Sequence, residues 1–375
     1  MIYFDNAATG GYKPYGVTET AINVIKYLNA NPGRSGHRLS RTAADLVYSS
    51  RKTLAEFFGA KTPADVVFTK NCTEALNTAI HGTVKKGGRV LTTVFEHNSV
   101  LRPLFTLKER GLIDVTVVSP ENGLFITAAD IEKAFDESVY LVAVTGASNV
   151  TGAANDIAGI GKFLRDKTAL FLVDGAQAAG HIKLNLRDMN INMLAVAGHK
   201  GMMAIAGSGA LIINEADVLP LTQGGTGTES FNPLQPGCYP ERLEAGTLNL
   251  PAICSLEEGA RYLENNLDYV NKCLTEATDY LISKLSKNAN VKIYSQKNPT
   301  GIVAFSAAGL ASTDLAEILS DEYDIAVRGG FHCAPLCHKF LNTEEDGLIR
   351  VSLAINNTRR EINDFIAATE RICPY

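Results

Sequence analysis

The sequence lacks the features that mark nucleic-acid binding, export and repetition. It has no block of Lys or Arg, and its net charge is −5 over 375 residues, so neither a nucleic acid nor an anionic membrane is an expected partner. Residues 1–5 (MIYFD) carry neither a basic n-region nor a long apolar h-region, so no signal peptide is expected. No internal repeat or low-complexity segment is visible. These absences do not exclude a local basic pocket that binds a small anionic ligand.

Cysteine is present, but not in the pattern of a disulfide framework. The chain has seven cysteines, an odd number, scattered along its length. This suits free thiols in a reducing compartment, so we expect a cytoplasmic protein. With 46% hydrophobic and 20% charged residues, the chain has the composition of an ordinary enzyme with one large domain and one smaller domain.

One apolar run contains a lysine where a lysine is costly. Residues 194–213 (LAVAGHKGMMAIAGSGALII) have the length of a membrane span, but their glycines and the central His199-Lys200 pair favour a buried strand, loop and strand. An ammonium held in an apolar setting tends to lose its proton and become an amine nucleophile, which makes Lys200 the first candidate for chemistry. The alternative is that Lys200 extends from a strand end into water.

A carboxylate lies a short way upstream of this lysine. The apolar stretch of residues 169–173 runs directly into Asp174, within the motif VDGAQ that ends at Gln177. An acid at a strand end and an amine-bearing lysine on the next loop are the pair that pyridoxal phosphate requires. The lysine binds the cofactor aldehyde, and the acid pairs with the pyridinium nitrogen.

Strand-like and helical stretches alternate through the first two thirds of the chain. Two helices are predicted first, at residues 17–28 and 40–58. The predicted strands that follow are residues 66–69, 89–94, 114–118, 140–144, 169–173 and 209–213, and the helices between them include residues 74–84, 100–108 and 157–165. This alternation predicts an α/β domain with a mostly parallel sheet.

The organisation changes after residue 213. A Gly/Pro/Thr-rich stretch, residues 223–240, is too long for a simple connection and is interpreted as functional. Helical patterns then dominate residues 252–287, and Thr358 begins a capping box with Glu361. We predict a large domain at residues 14–248 and a small α+β domain formed by residues 1–13 and 249–375. The N-terminal arm is too short and polar to be a core strand.

A second candidate feature is a helix start after the first predicted strand. Residues 66–69 run into Lys70-Asn71-Cys72-Thr73-Glu74 and then into a helix, so Cys72 and Thr73 would present backbone N–H groups and a hydroxyl at its N-terminus. Such an end binds phosphate well. The alternative is an ordinary helix cap.

These motifs occur together in one order along nearly the whole chain. In that order the chain resembles the class V aminotransferase group of fold-type I pyridoxal-phosphate enzymes, and within it the cysteine desulfurase and selenocysteine lyase family. The resemblance is carried by DNAAT at residues 5–9, Thr73-Glu74, Glu96-His97, Ser148-Asn149, VDGAQ at 173–177, GHK at 198–200, EAGT at 244–247, RGGFHCAP at 328–335 and RVS at 350–352.

The resemblance implies roles around a pyridoxal 5'-phosphate cofactor. Lys200 would bind the cofactor aldehyde and shuttle the substrate's Cα proton, and Asp174 would keep the pyridine nitrogen protonated. His97 would stack on the ring and act as acid or base; the alternative is a loop histidine with no such role. The remaining cofactor ligands that it implies are Asn149, Gln177, Thr73, Cys72, His199 and, from the neighbouring subunit of a homodimer, Thr247.

The resemblance also implies how the substrate binds and reacts. Arg350 would bind the substrate carboxylate with its planar fork, and Ala8, Asn149 and Arg328 would complete the substrate site. Cys333 resembles the loop cysteine that attacks the substrate's sulfur, with a small sulfur- or selenium-acceptor protein as partner. Two other interpretations stay open for this cysteine: an inert loop residue, or zinc binding by His332-Cys333 and Cys337-His338.

Several positions depart from the family's pattern. Ala197 replaces a serine that commonly bonds the phosphate, and Cys72 stands where threonine is frequent. Phe331 replaces a polar residue before the cysteine, and residues 201–207 lack a proline often found there. Ala197 and the altered residues 201–207 leave open an inert relative that serves as a binding scaffold. A class V transaminase or β-lyase acting on another amino acid is the other alternative, from which Cys333 would distinguish a desulfurase.

Overall fold

The computed structural model describes residues 1–28, 30–33 and 35–374. The strands are β1 (Ile2–Tyr3), β2 (Val66–Thr69), β3 (Arg89–Thr93), β4 (Asp114–Val118), β5 (Val139–Thr145), β6 (Leu170–Asp174), β7 (Met193–Ala197), β8 (Gly209–Ile213), β9 (Val291–Ile293), β10 (Ile302–Ala307), β11 (Ile325–Ala326) and β12 (Ile349–Ser352). The helices are α1 (Tyr15–Tyr27), α2 (Arg38–Phe58), α3 (Cys72–Gly82), α4 (Asn98–Glu109), α5 (Ala128–Ala134), α6 (Ile157–Leu164), α7 (Leu250–Leu285), α8 (Ser312–Tyr323), α9 (Pro335–Leu341) and α10 (Arg359–Ile372), with a short 3-10 helix at Pro63–Asp65.

A seven-stranded sheet forms the centre of the molecule. Its strand order is β2-β8-β7-β6-β5-β3-β4, and all neighbours are parallel except β8, which is antiparallel to both β2 and β7. The central strands are buried along their whole length, as β5 and β7 show. Strands covered by helices on both faces need apolar residues at every position, so their sequences are continuous apolar runs.

The parallel strands place polar residues at one edge of this sheet. β6 ends at Asp174, β5 ends at Thr145, and β7 ends at Ala197, three residues before Lys200. In open parallel sheets, ligands bind at the carboxyl ends of the strands. The predicted mostly parallel sheet is confirmed, and so is the buried strand, loop and strand of residues 194–213.

A smaller antiparallel sheet, β12-β10-β9, lies in the C-terminal third. The 36-residue helix α7 leads to it and packs against both α1 and α2. The N-terminal arm is not a core strand, as expected: Ile2–Tyr3 forms only a short, half-buried strand that pairs in parallel with β11. Hydrogen bonds from a distant strand, which the local sequence does not reveal, determine that strand. The division into two domains at residues 13–14 and 248–249 stays a prediction.

Most predicted elements appear, with ends shifted by a few residues. The predicted capping box of Thr358 and Glu361 begins α10. Periodicity does not reveal α5, β9 and α9, because each of these elements has seven residues or fewer. Among the described helices, none is both long and apolar enough to cross a membrane.

Candidate active site

The polar ends of the central strands surround a cavity of about 230 Å³, the active cavity. It brings together almost all residues predicted to bind cofactor or substrate. Its predicted members are Ala8, Cys72, Thr73, His97, Asn149, Asp174, Gln177, His199, Lys200, Arg328 and Arg350. These residues come from both sheets and from the N-terminal arm, so the cavity exists only in the folded chain. Cys333 and Thr247 do not line it.

Lys200 and Asp174 both line this cavity. Burial lowers the pKa of the Lys200 ammonium, and the nearby Asp174 carboxylate partly opposes that shift. Asp174 is 3% exposed, and its Oδ1 accepts a hydrogen bond from the Ala176 N–H at 2.9 Å. A lysine with a lowered pKa keeps a larger fraction of its amine unprotonated, and only the free amine reacts with an aldehyde.

Helix α3 begins at the wall of the cavity. The Asn71 side chain caps it by accepting a hydrogen bond from the Glu74 N–H at 2.9 Å. The N–H groups of Cys72 and Thr73 come first in the helix, where helical geometry provides no intrahelical acceptor. Such an end attracts an anion. The Cys72 thiol lies 3.4 Å from Asp174 Oδ1, and burial followed by the charge of Asp174 raises its pKa.

A chain of hydrogen bonds joins this helix start to His97. Thr73 Oγ1 lies 2.8 Å from Ser99 Oγ, which lies 2.9 Å from His97 Nδ1. The backbone N–H of Ser99 also donates to His97 Nδ1, at 3.0 Å. Nδ1 is therefore an acceptor, and the neutral ring carries its proton on Nε2. Burial lowers the pKa of His97 to about 4, so the ring is neutral near pH 7.

Arg350 lies on β12, and its guanidinium is 1% exposed. Its Nη2 pairs with Asp5 Oδ1 at 2.9 Å, and its Nη1 donates to the backbone carbonyl of Asn149 at 3.0 Å. Burial lowers the pKa of Arg350, and the charge of Asp5 opposes that shift. A buried cation with fixed orientation at a cavity wall is suited to binding a carboxylate.

Two buried amide side chains line the active cavity, those of Asn149 and Gln177. Asn149 Nδ2 donates to the His332 carbonyl at 2.6 Å, and Gln177 Nε2 donates to the Ala7 carbonyl at 2.9 Å. Within the described residues, Asn149 Oδ1 and Gln177 Oε1 have no hydrogen-bond partner, although both side chains line the cavity. Buried polar atoms are normally satisfied, so this wall has the character of a polar ligand site.

His199 lies beside Lys200 on the loop after β7. Burial, with the charges of Lys200 and Lys13, lowers the pKa of His199 to about 4. Its backbone carbonyl accepts a hydrogen bond from the Gly10 N–H at 2.8 Å, which holds the N-terminal arm against this loop. That contact explains why Ala8, a residue without a functional group, reaches the cavity wall.

Cys333 lies on an adjoining, more open cavity of about 540 Å³, the outer cavity. His97, Thr73 and Ser99 line both cavities. Cys333 is exposed, and both it and His332 have a left-handed backbone, with φ of 58° and 49°. Non-glycine residues in that conformation are uncommon and cluster at functional loops.

Thr247 is exposed and lies away from the active cavity of its own chain. The preceding Glu244 is held by a buried ion pair with Arg51, whose Nη1 lies 2.8 Å from Glu244 Oε1. Glu244 Oε1 also accepts a hydrogen bond from the Phe68 N–H at 2.6 Å. The segment that carries Thr247 is therefore fixed to β2 of the large sheet.

Sequence reasoning missed four residues that shape the site. They are Asn71, Ser99, Asp5 and His332, of which all but Asp5 line the active cavity. A helix-capping pattern could have identified Asn71 and Ser99. Asn71 is the cap of α3, and Ser99 lies in the first turn of α4, whose cap is His97. Asp5 and His332 lie within the motifs DNAAT and RGGFHCAP, but no local pattern reveals their structural roles, because their partners Arg350 and Leu348 are not identified by sequence.

The zinc interpretation of the cysteine loop gains no support from the geometry. The His332 and His338 rings are 5.8 Å apart, and Cys337 is buried beside them. Across the described ranges, however, no group of three or more His, Cys, Asp or Glu residues is arranged to hold a metal ion. His332 Nε2 lies 3.0 Å from the Leu348 carbonyl, a hydrogen bond that fixes the loop without a metal.

This fold and site match a known family. The model of the class-V aminotransferase family matches residues 2–365, so the chain belongs to that family. A probable cysteine desulfurase from Pyrococcus abyssi is 33% identical, covering 99% of this chain and 94% of that protein. A probable cysteine desulfurase from Methanothermobacter thermautotrophicus is also 33% identical, covering 96% of this chain and 92% of that protein.

Solved structures agree with the sequence relatives. The apo structure of a cysteine desulfurase from Thermococcus onnurineus NA1 is 33% identical and has a TM-score of 0.90, covering 99% of this chain and 94% of that one. A cysteine desulfurase from Escherichia coli has a TM-score of 0.86 at 23% identity, covering 98% of this chain and 94% of that one, a likeness that shows the fold alone. The predicted fold-type I architecture and the predicted family are confirmed.

Proposed function

We propose that this protein is a pyridoxal-phosphate-dependent cysteine desulfurase that converts L-cysteine to L-alanine and leaves a persulfide on Cys333. One observation carries the proposal: Lys200, Asp174 and Arg350 converge on one cavity, and Cys333 lies on the cavity that adjoins it. The relatives named as cysteine desulfurases support the reaction class. Selenocysteine is the second candidate substrate.

The donor set of the active cavity fits pyridoxal 5'-phosphate. The start of α3, with Cys72 and Thr73, would hold the phosphate, Asp174 would pair with the ring nitrogen, and Lys200 would bind the aldehyde. The side-chain oxygen atoms of Asn149 and Gln177, which have no hydrogen-bond partner in the described part of the chain, lie in the same wall. When bound, the cofactor would withdraw electrons from the substrate's Cα and so make its proton acidic.

The chain's own residues would bind the substrate and move its protons. The Arg350 guanidinium would bind the substrate carboxylate, with Asp5 holding its orientation. The Lys200 amine, with its lowered pKa, would take the Cα proton and later return it. The neutral His97 ring would donate a hydrogen bond from Nε2, because its Nδ1 already accepts from Ser99.

Cys333 would carry out the step that separates this enzyme from ordinary transaminases. Its thiolate would form a bond to the substrate's sulfur while the bond between that sulfur and the substrate's Cβ breaks. The electron pair of the broken bond stays on the carbon skeleton, which takes up a proton and leaves as alanine. Cys333 lies across His97 from the active cavity, so its loop must bring the thiol inward for attack.

Two partner assignments belong to the same proposal. The protein would act as a homodimer in which Thr247 of one subunit reaches the phosphate site of the other, which accords with its exposed position outside its own active cavity. A small sulfur- or selenium-acceptor protein remains the predicted macromolecular partner.

The first experiment is a visible absorbance spectrum of the purified protein, followed by addition of L-cysteine with assays for alanine and sulfide under a reductant. We expect a yellow protein that yields equal amounts of alanine and sulfide. A yellow protein that changes colour with other amino acids and gives no alanine would favour the transaminase or β-lyase alternative. A Lys200→Ala variant serves as the control for specific attachment of the cofactor.

A second experiment tests Cys333 itself. Replacement of Cys333 by Ser should abolish release of sulfur from cysteine but spare release of selenium from selenocysteine. Selenium can leave as the element without an attacking thiolate, while the carbon skeleton keeps the electron pair of the broken bond and becomes alanine. The reductant in the assay then converts the selenium to selenide. Equal loss of both activities would contradict the assigned role. Replacement of the exposed Cys238 by Ser provides the matched control for loss of a surface thiol.

A further inference from the structure

The outer cavity is lined by residues of α3 and α4 that have no role in the proposed reaction. Helix α3 contributes Asn77 and His81, one turn apart, and helix α4 contributes Arg102 and Thr106, also one turn apart. Residues spaced by four lie on one face of a helix, so two such faces form the walls of a groove. Cys333 lies at the end of the groove where both helices begin.

The groove has an excess of positive charge. Arg102 and Arg110 line it and are both exposed, and His81 of α3 lines it as well. Among the described residues that line it, none is Asp or Glu. The chain as a whole has a net charge of −5, so this local excess does not follow from composition. The charge of Arg110 adds to burial in lowering the pKa of His81, which places these two groups close together.

Distances along α4 relate these cations to the cysteine. The Asn98 N–H, at the start of the helix, donates to the Cys333 carbonyl at 2.7 Å. Arg102 follows about 6 Å further along the helix axis and Arg110 about 18 Å. The cavity volume of about 540 Å³ lies within the range of small-molecule sites. A compact molecule that contacts Arg102 is therefore within reach of the Cys333 thiol.

We propose that the outer cavity binds a small thiol that carries carboxylate groups and that this thiol accepts the sulfur held on Cys333. The inference rests on the proposed desulfurase function. The carboxylates pair with Arg102 and, in a longer molecule, with Arg110. The acceptor's thiolate forms a bond to the outer sulfur of the Cys333 persulfide, and the bond between the two sulfurs breaks. Cys333 leaves as a thiolate with the electron pair, so no oxidant or reductant is needed.

The test of the groove compares alkylation of Cys333 by iodoacetate, an anion, with alkylation by neutral iodoacetamide. The protein is used as purified with its cofactor, and modification is read residue by residue by mass spectrometry. The exposed Cys238 is the reference within the same molecule. We expect the ratio of the rate constant for iodoacetate to that for iodoacetamide to be several-fold higher at Cys333 than at Cys238. At Cys333 this ratio should decrease as salt is added.

Variants then assign the effect to named residues. Arg102→Gln and Arg110→Gln should each lower the ratio at Cys333, whereas Arg165→Gln, an exposed arginine on another helix end, should not. A ratio at Cys333 equal to that at Cys238, unaffected by salt, would overturn the proposed anion site. This measurement needs no turnover, so it is independent of the proposed desulfurase activity.

The acceptor role is tested on protein preloaded with one equivalent of L-cysteine. Mercaptosuccinate, with two carboxylates, should remove sulfur from Cys333 faster than neutral 2-mercaptoethanol or cationic cysteamine at matched thiolate concentrations, and Arg102→Gln should reduce that advantage. Equal rates for the three thiols, or transfer only to an acceptor protein, would overturn it. Absence of alanine and persulfide after loading would instead identify failure of the desulfurase function.

Discussion

The backbone N–H of Asn98 donates a 2.7 Å hydrogen bond to the carbonyl of Cys333. Asn98 is the first residue of α4, and His97 before it is the helix cap that lines the active cavity. The loop of the proposed nucleophile is thus attached to the same helix end that orients the proposed stacking histidine. A change at this single bond should alter the position of Cys333 without removing a reactive group.

Replacement of Asn98 by Pro removes the N–H that donates to Cys333 but removes no hydrogen bond within the helix, because Asn98 is the first residue of α4. Proline is well tolerated at the first helical position, and the extended backbone of His97 suits a residue before proline. We expect desulfuration to fall about tenfold to 100-fold, because misplacement of a reacting group by about 1 Å has an effect of that size. Asn98→Ala keeps the N–H and is the control; equal activity of the two variants would contradict the prediction.

Replacement of Asp5 by Asn should weaken substrate binding through Arg350. The Asp5 carboxylate lies 2.9 Å from Arg350 Nη2, and the Arg350 side chain is buried. Loss of a hydrogen bond between charged groups costs about 1.5 to 3 kcal/mol, so the KM for L-cysteine should rise on the order of tenfold or more. The corresponding kcat should change less. A fall in kcat with unchanged KM would show that Asp5 does not act through binding of the carboxylate.

The stability of the protein should depend on His97 in mildly acidic solution. Burial lowers the pKa of His97 from 6.5 to about 4, so between these values the unfolded chain binds a proton that the native state does not. The free energy of unfolding should therefore fall as pH decreases through that window. His97→Asn keeps an acceptor at the helix start and should show a smaller fall in urea titrations. His37→Asn, at the exposed start of α2, controls for loss of a histidine cap.

Glu96 should contribute a pH dependence of opposite sign. Burial raises the pKa of its carboxyl from 4.5 to about 8, although Thr93 Oγ1 and the Thr145 N–H donate to its Oε1 at 2.7 and 2.8 Å. The native state therefore keeps a proton that the unfolded chain has lost, and stability should fall as pH rises through that window. Glu96→Gln should gain stability relative to the wild type with rising pH.

The control for this prediction is Glu137→Gln, at an exposed position. Urea titrations of both variants and the wild type at several pH values give the comparison. A Glu96→Gln variant whose stability difference from the wild type stays constant with pH would show that Glu96 is ionised in the native protein.

Local sequence patterns were enough to predict most helices and strands of the large domain and the residue types that form the site. A short continuous apolar run such as β5 is typical of a strand that is buried on both faces. A helix cap such as Thr358 acts on backbone groups within one helical turn. The order of motifs around Lys200 and Asp174 identified the family, and both residues line one cavity as expected. Local periodicity was enough for these features because their causes lie within a few residues.

Which of these groups meet, and how they ionise, depends on contacts between elements that are distant in the chain. Asp5 and Arg350 are 345 residues apart in the chain. No sequence pattern indicates the hydrogen bond from the Asn98 N–H to the Cys333 carbonyl, which holds Cys333 near His97. The neutral state of His97 and the lowered pKa of Lys200 depend on burial, which the packing of distant elements creates. The positive groove of the outer cavity has the same origin, because it requires two helices from different parts of the chain to lie side by side.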